Sequence, residues 1–152
     1  MNISRWSMEE LVPHSGSMVL LDAVLSFSDK TISTEKVIRK DEVFLEGDTV
    51  PAWVAIEYMA QAIGAFAGIQ AKLADQPVKV GLLLGTRKLT ADFAGFSIGD
   101  RIIVNAEEIH REDNGLCVFA CTITSPGGQI RANLNVFVPE DFDQYMSGEL
   151  NV

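Results

Sequence analysis

Basic residues are scarce in this chain: 12 Lys and Arg stand against 21 Asp and Glu, a formal net charge of −9 at neutral pH. A nucleic-acid ligand requires clustered cations that displace phosphate counterions. No such stripe is present, so no nucleic-acid partner is expected. Arg39-Lys40 and Arg87-Lys88 are the only adjacent basic pairs where an anionic protein partner would find a foothold. Histidine and cysteine are equally sparse, with two of each. That leaves too few soft ligands for a zinc site, and neither a metal nor a cofactor is expected. Cys117 and Cys121 are four apart in an alternating run, on one strand face but too far apart to bridge, and read as two buried thiols. The first residues lack the apolar run and small-residue cleavage site of a secretory signal, which points to a cytoplasmic protein.

Hydrophobic residues make up 47% of the 152 residues and charged ones 22%, the balance of an ordinary globular protein with one core. We read residues 1–152 as one domain, with the acidic stretch at about 140–152 as a docked tail. Ser7-Met8-Glu9-Glu10 has the form of a capping box and predicts a short helix ending before Pro13. Met18–Phe27 and Thr31–Arg39, joined by Ser28-Asp29-Lys30, predict two paired strands. Four more strands are expected at about Val80–Ala91, Arg101–Arg111, Leu116–Ser125 and Gln129–Val138. The intervening Gly, Asn, Asp and Pro suit tight connections, and an antiparallel meander is expected.

Between these groups lies Pro51–Gln70, apolar on every face, with Pro suited to the first turn of a helix. Such a helix must be surrounded. It is long enough to cross a bilayer, but Glu57 would be costly in lipid and the rest of the chain reads as soluble strands, so no membrane span is expected. Gly64 and Gly68 mark places where its backbone lies close to a sheet. The fold class is α+β, an antiparallel sheet curled around one long central helix. A helix covered on part of its circumference needs a second subunit to complete the cover.

Glu57 is the only acid or base in this run apart from Tyr58. Buried there, it should have a raised pKa and need hydrogen-bond partners, as either a functional group or a structural anchor. Gln61, one turn on, is placed to hold its carboxylate. Amides at the helix start, near Ala52 and Trp53, offer a site for a partly negative oxygen such as a thioester carbonyl. Of the two histidines, His110 sits in the charged run Glu107–Arg111 and reads as surface. His14, in a loop ahead of an apolar strand, is the better candidate base.

Two separated motifs carry a resemblance. Leu11-Val12-Pro13-His14 followed by Met18-Val19-Leu20-Leu21-Asp22 is similar to the N-terminal signature of (3R)-hydroxyacyl-acyl carrier protein dehydratases. The helix Pro51-Ala52-Trp53-Val54-Ala55-Ile56-Glu57-Tyr58-Met59-Ala60-Gln61-Ala62 resembles their catalytic-helix motif. The chain departs from the best-known branch at Val43, in Val43-Phe44-Leu45, where that branch carries its catalytic His. The helix start and Met18 look more like a subfamily associated with aryl-polyene biosynthesis that keeps the Pro-His element.

The resemblance implies a hotdog fold and a site shared between subunits of a homodimer, or of a heterodimer with a related hotdog subunit. It also implies dehydration of an acyl carrier protein-linked 3-hydroxyacyl thioester by His14 and Glu57. Ala52, Trp53, Gln61 and Phe44 are the expected substrate contacts, and Arg87 and Lys88 the expected carrier contacts. An acyl-thioesterase on the same fold and a non-catalytic acyl-binding partner of another dehydratase remain as alternatives.

Overall fold

A computed structural model describes residues 5–78 and 81–138. Helix α1 (Met8–Leu11) starts as the capping box predicts: the Glu10 carboxylate accepts from the Ser7 amide and hydroxyl, each at 3.1 Å. A turn of 3-10 helix at Gly16–Met18 follows, and β1 begins only at Ala23, five residues later than expected, running to Phe27. β2 (Thr31–Val37) pairs with it through the predicted hairpin.

The main sheet has the order β1-β2-β6-β7-β8-β4. β6 (Arg101–Arg111) and β7 (Leu116–Ser125) have the expected limits, and β8 (Gly128–Phe137) is shifted by one residue. β4 (Leu82–Ala91) starts two residues later than expected, and the first expected strand residue, Val80, lies outside the described residues. The simple meander is corrected in one respect: β4 lies beside β8, at the far edge, instead of beside β6. The cause is a pair of short strands absent from the sequence reading. β5 (Gly95–Ser97) leaves the main sheet to pair with β3 (Thr49–Pro51). The chain therefore re-enters the sheet on the opposite side of what becomes the β7–β8 hairpin. A Cβ at Gly95 would lie 2.5 Å from the Val50 carbonyl oxygen, so this crossing admits only glycine without a shift.

Pro51 is accordingly extended, in β3, and not in the first helical turn. A 3-10 turn at Ala52–Val54 leads into α2 (Ala55–Leu73), which runs three residues past the expected end. By length and composition Ala52–Leu73 would suit a bilayer, but most of its apolar stretch is buried inside the protein. The sheet strands supply the cover. Tyr58, Met59, Ala62, Phe66 and Ile69 are fully buried together with Ile102, Val104, Ile123, Ile130 and Leu134 of the alternating strands. Phe66 meets Phe27 at 5.5 Å and Phe119 at 5.6 Å between ring centroids. The stretch read as a tail, 140–152, lies outside the described residues.

Candidate functional site

Positions 57, 60, 64 and 67 of α2 recur at helical spacing and form one stripe along it. The sheet leaves this stripe open: Glu57 is exposed, and Ala60, Gly64 and Ala67 are half-buried. The burial expected of Glu57 is therefore not found in the single chain. The apolar composition of the helix masked an asymmetry that only the limited reach of the sheet creates. Opposite the stripe stand Gly81, Leu83 of β4, Val136 of β8 and Val138, and between the two walls lies a cleft of about 240 Å³. Pro13 and His14 close one side, so His14 and Glu57, 43 residues apart in sequence, line the same cleft. His14 is exposed to it. The structure thus brings together the two side chains selected as reacting groups.

Gln61 is placed differently from expectation. Its side chain is buried, with 3% exposure, and turns away from Glu57 toward the N-terminal segment. Its Oε1 accepts from the Leu20 amide at 2.9 Å, and its Nε2 donates to the Met18 carbonyl. The amide is thereby engaged on both sides by backbone that follows His14, which replaces the expected role of holding the Glu57 carboxylate. The close approach foreseen at Gly68 is also real, but its partner is this same N-terminal segment and not a sheet. A Cβ at Gly68 would collide with the Leu11 carbonyl, whereas one at Gly64 would meet Val12 and Pro13 only at 3.8 and 3.9 Å.

The helix start differs too. The Ala52 amide donates to the Ala94 carbonyl at 2.9 Å and is not free for a ligand oxygen, because β3–β5 pairing extends to it. The Trp53 side chain is 56% exposed, with its ring edge-on to half-buried Phe44 at 5.8 Å. Neither residue is among those lining the cleft. Val43, at the position of the missing His, is exposed. The loop carrying it is fixed by a network of charges. Lys36, 4% exposed, pairs with Glu42 at 2.7 Å, and Glu42 also accepts from the Arg39 amide. Asp22 accepts from the Val37 amide and takes the Arg39 guanidinium with both oxygens, at 2.9 and 3.1 Å. Such a network is visible in sequence only as scattered charges, since Asp22 precedes β1 while Lys36, Arg39 and Glu42 lie in β2 and the loop after it. Arg39 of the first basic pair is thus engaged by Asp22.

Arg87 and Lys88 are exposed on β4 beside a bulge, where Lys88 takes a positive φ of 57°. From Leu83, which lines the cleft, Arg87 is four residues along the strand, roughly 13 Å. His110 is exposed, 3.4 Å from Glu112. Cys117 and Cys121 are free and buried, and burial pushes the Cys121 thiol up to about 12. A second carboxylate provides a contrast with Glu57. Burial pushes the Glu108 carboxyl up, but hydrogen bonds from Arg111 and Lys30 prevail and hold it below the usual carboxylate value.

With this geometry in hand, comparisons with known proteins are informative. A family model described as ApeP dehydratase matches residues 6–147. No match was found among curated proteins. Among solved structures, a chain of the dehydratase heterocomplex ApeI:P from Xenorhabdus doucetiae is 27% identical, with a TM-score of 0.84 over 93% of this chain and 96% of that one. The virulence protein Cj0977 from Campylobacter jejuni is 13% identical, covering 92% and 91% of the two chains at a TM-score of 0.62. A hypothetical thioesterase with coenzyme A from Streptococcus pneumoniae TIGR4 is 14% identical, covering 76% and 84% at 0.58. At these identities the last two speak for the fold alone.

Proposed function

Since the chain belongs to the ApeP-like dehydratase family, we propose that it removes water from a 3-hydroxyacyl thioester borne on an acyl carrier protein, leaving the trans-2-enoyl thioester. The observation that carries this reading is the placement of His14 and Glu57 on one apolar cleft. Loss of water across C2 and C3 needs a base at C2 and an acid at the departing hydroxyl. Neutral His14 takes the C2 proton, the electron pair forms the C2–C3 double bond, and the C3–O bond breaks. That oxygen takes a proton through Glu57 and leaves as water. Solvent exchange then removes the proton gained by His14 and replaces the one given by Glu57. The acyl chain lies along Ala60, Gly64 and Ala67 against Leu83, Val136 and Val138, which offer it apolar walls.

Among the described residues nothing covers the stripe or pairs with the outer edge of β4, and Leu83 and Leu84 on that strand are 43% and 58% exposed. A second hotdog subunit supplies the cover in this reading and excludes water from the dyad, which strengthens its charge interactions. The solved dehydratase ApeI:P is itself a heterocomplex, which favours a related subunit over an identical one. The carrier approaches through Arg87 and Lys88.

Mass spectrometry tests the reaction. The chain, alone and with a related hotdog subunit, is incubated with a (3R)-3-hydroxyacyl carrier protein. Loss of one water with the thioester intact is expected. Release of free acid and free thiol would instead make it a thioesterase, and binding without turnover in both settings would reduce it to an acyl-binding partner.

A further inference from the structure

The segment that carries His14 is fastened to α2 on both sides of the imidazole. Upstream, the Leu11 carbonyl packs onto Gly68 so closely that no Cβ fits, and Val12 and Pro13 lie over Gly64. Downstream, Gln61 holds Met18 and Leu20 with its donor and its acceptor. Between these anchors Pro13 and His14 line the cleft that Glu57, on the same helix as Gln61, also lines. Leu11 and Leu20 are 0% and 3% exposed, so both ends of the exposed segment are buried while its middle is not.

We propose that Gln61 is a positioning residue for His14: its amide ties the otherwise exposed 14–18 segment to the helix that carries Glu57, and so sets the separation of the two reacting groups. This rests on the reading of His14 and Glu57 as the dyad. Both partners of this buried amide are backbone groups of the N-terminal segment, which an apolar side chain could not satisfy, so the two bonds fix where that segment sits on the helix. Small displacements of a reacting group cost rate steeply, which gives such a tie catalytic weight although Gln61, expected from the sequence as a substrate contact, does not itself line the cleft.

The test uses the full chain in whichever assembly turns over, well below its unfolding temperature. Gln61→Leu keeps the bulk and removes both hydrogen bonds. It is expected to lower kcat at least tenfold with KM within about twofold, and to have no further effect on kcat in a His14→Ala background. Gln61→Glu restores one donor and one acceptor when protonated, so its kcat relative to the native chain should rise as pH falls. The chain has two histidines. Its two imidazole NMR signals therefore give a readout without turnover, in which Gln61→Leu should shift or broaden the His14 signal and leave that of exposed His110 in place. Native kcat in Gln61→Leu, an equal loss in the His14→Ala background, a flat pH ratio or an unmoved His14 signal would each overturn the positioning role. Full activity in His14→Ala would sink the dyad itself, and the role of Gln61 with it. A dead His14→Ala beside a fully active Gln61→Leu would sink the positioning role alone.

Discussion

The two sides of α2 are built from the same kinds of residue and do opposite things. One side sets Tyr58, Met59, Ala62, Phe66 and Ile69 into the sheet with at most 1% exposure. The other presents Glu57 and a row of small residues, Ala60, Gly64 and Ala67, to a cleft. Size separates them more than polarity: large side chains fill the space under the sheet, and small ones leave a groove that none of the described residues fills. A similar contrast holds for two carboxylates. Glu108 is 7% exposed and held by Lys30 and Arg111, so its charge is neutralised within the chain. Glu57 has no such partner among the described residues and lines the same cleft as His14. A paired acid serves structure, and an unpaired acid on a cleft is available for chemistry.

Substitutions on the two sides should therefore fail in different ways. Glu57→Gln and His14→Ala, each made separately, should lower kcat by roughly 10²- to 10⁴-fold, the usual worth of an acid or base. Their thermal midpoints should stay near native, since both groups are exposed. Full activity in either would break the dyad, and a collapse of stability would place that residue with the structural side. Phe66→Ala strikes the opposite face. It removes a ring fully buried between Phe27 and Phe119 and should cost about 3–5 kcal/mol in urea denaturation. A loss under about 1 kcal/mol would mean that the sheet closes around the gap more readily than a packed core does.

The smallest effects come from two glycines one turn apart. Gly64→Ala has room for its methyl group and gains helix propensity, so stability should hold or rise by up to about 1 kcal/mol. Gly68→Ala forces the Leu11 backbone away and should destabilise by about 1–3 kcal/mol. Denaturation midpoints of the two variants moving in the same direction would show that the N-terminal segment is not seated as described.

Periodicity made much of this fold legible. β6 and β7 alternate buried and exposed residues strictly enough that their limits could be read from sequence, and the capping box marks where α1 begins. The short strands β3 and β5 were illegible, because three residues carry too little alternation, and their pairing depends on contacts 44–48 residues apart. Missing them misplaced the helix start at Pro51 and left Ala52 as a free donor. Helical spacing suggests Glu57 as the partner of Gln61 where the structure gives Met18 and Leu20, since spacing on a helix shows which neighbours share a face and not what comes from outside to meet it.

The sequence by itself determined the class of fold, the central helix, and the choice of Glu57 and His14 as the residues to watch. Composition and spacing suffice for that, because they fix which segments must be buried and which polar groups are out of place. Only the tertiary structure decided that Glu57 is open and not buried, that Gln61 serves the N-terminal segment, and that the helix has an uncovered stripe. These depend on how far a finite, curled sheet reaches around a cylinder, and that reach is set by strand order and long-range pairing, which no local pattern in the chain encodes.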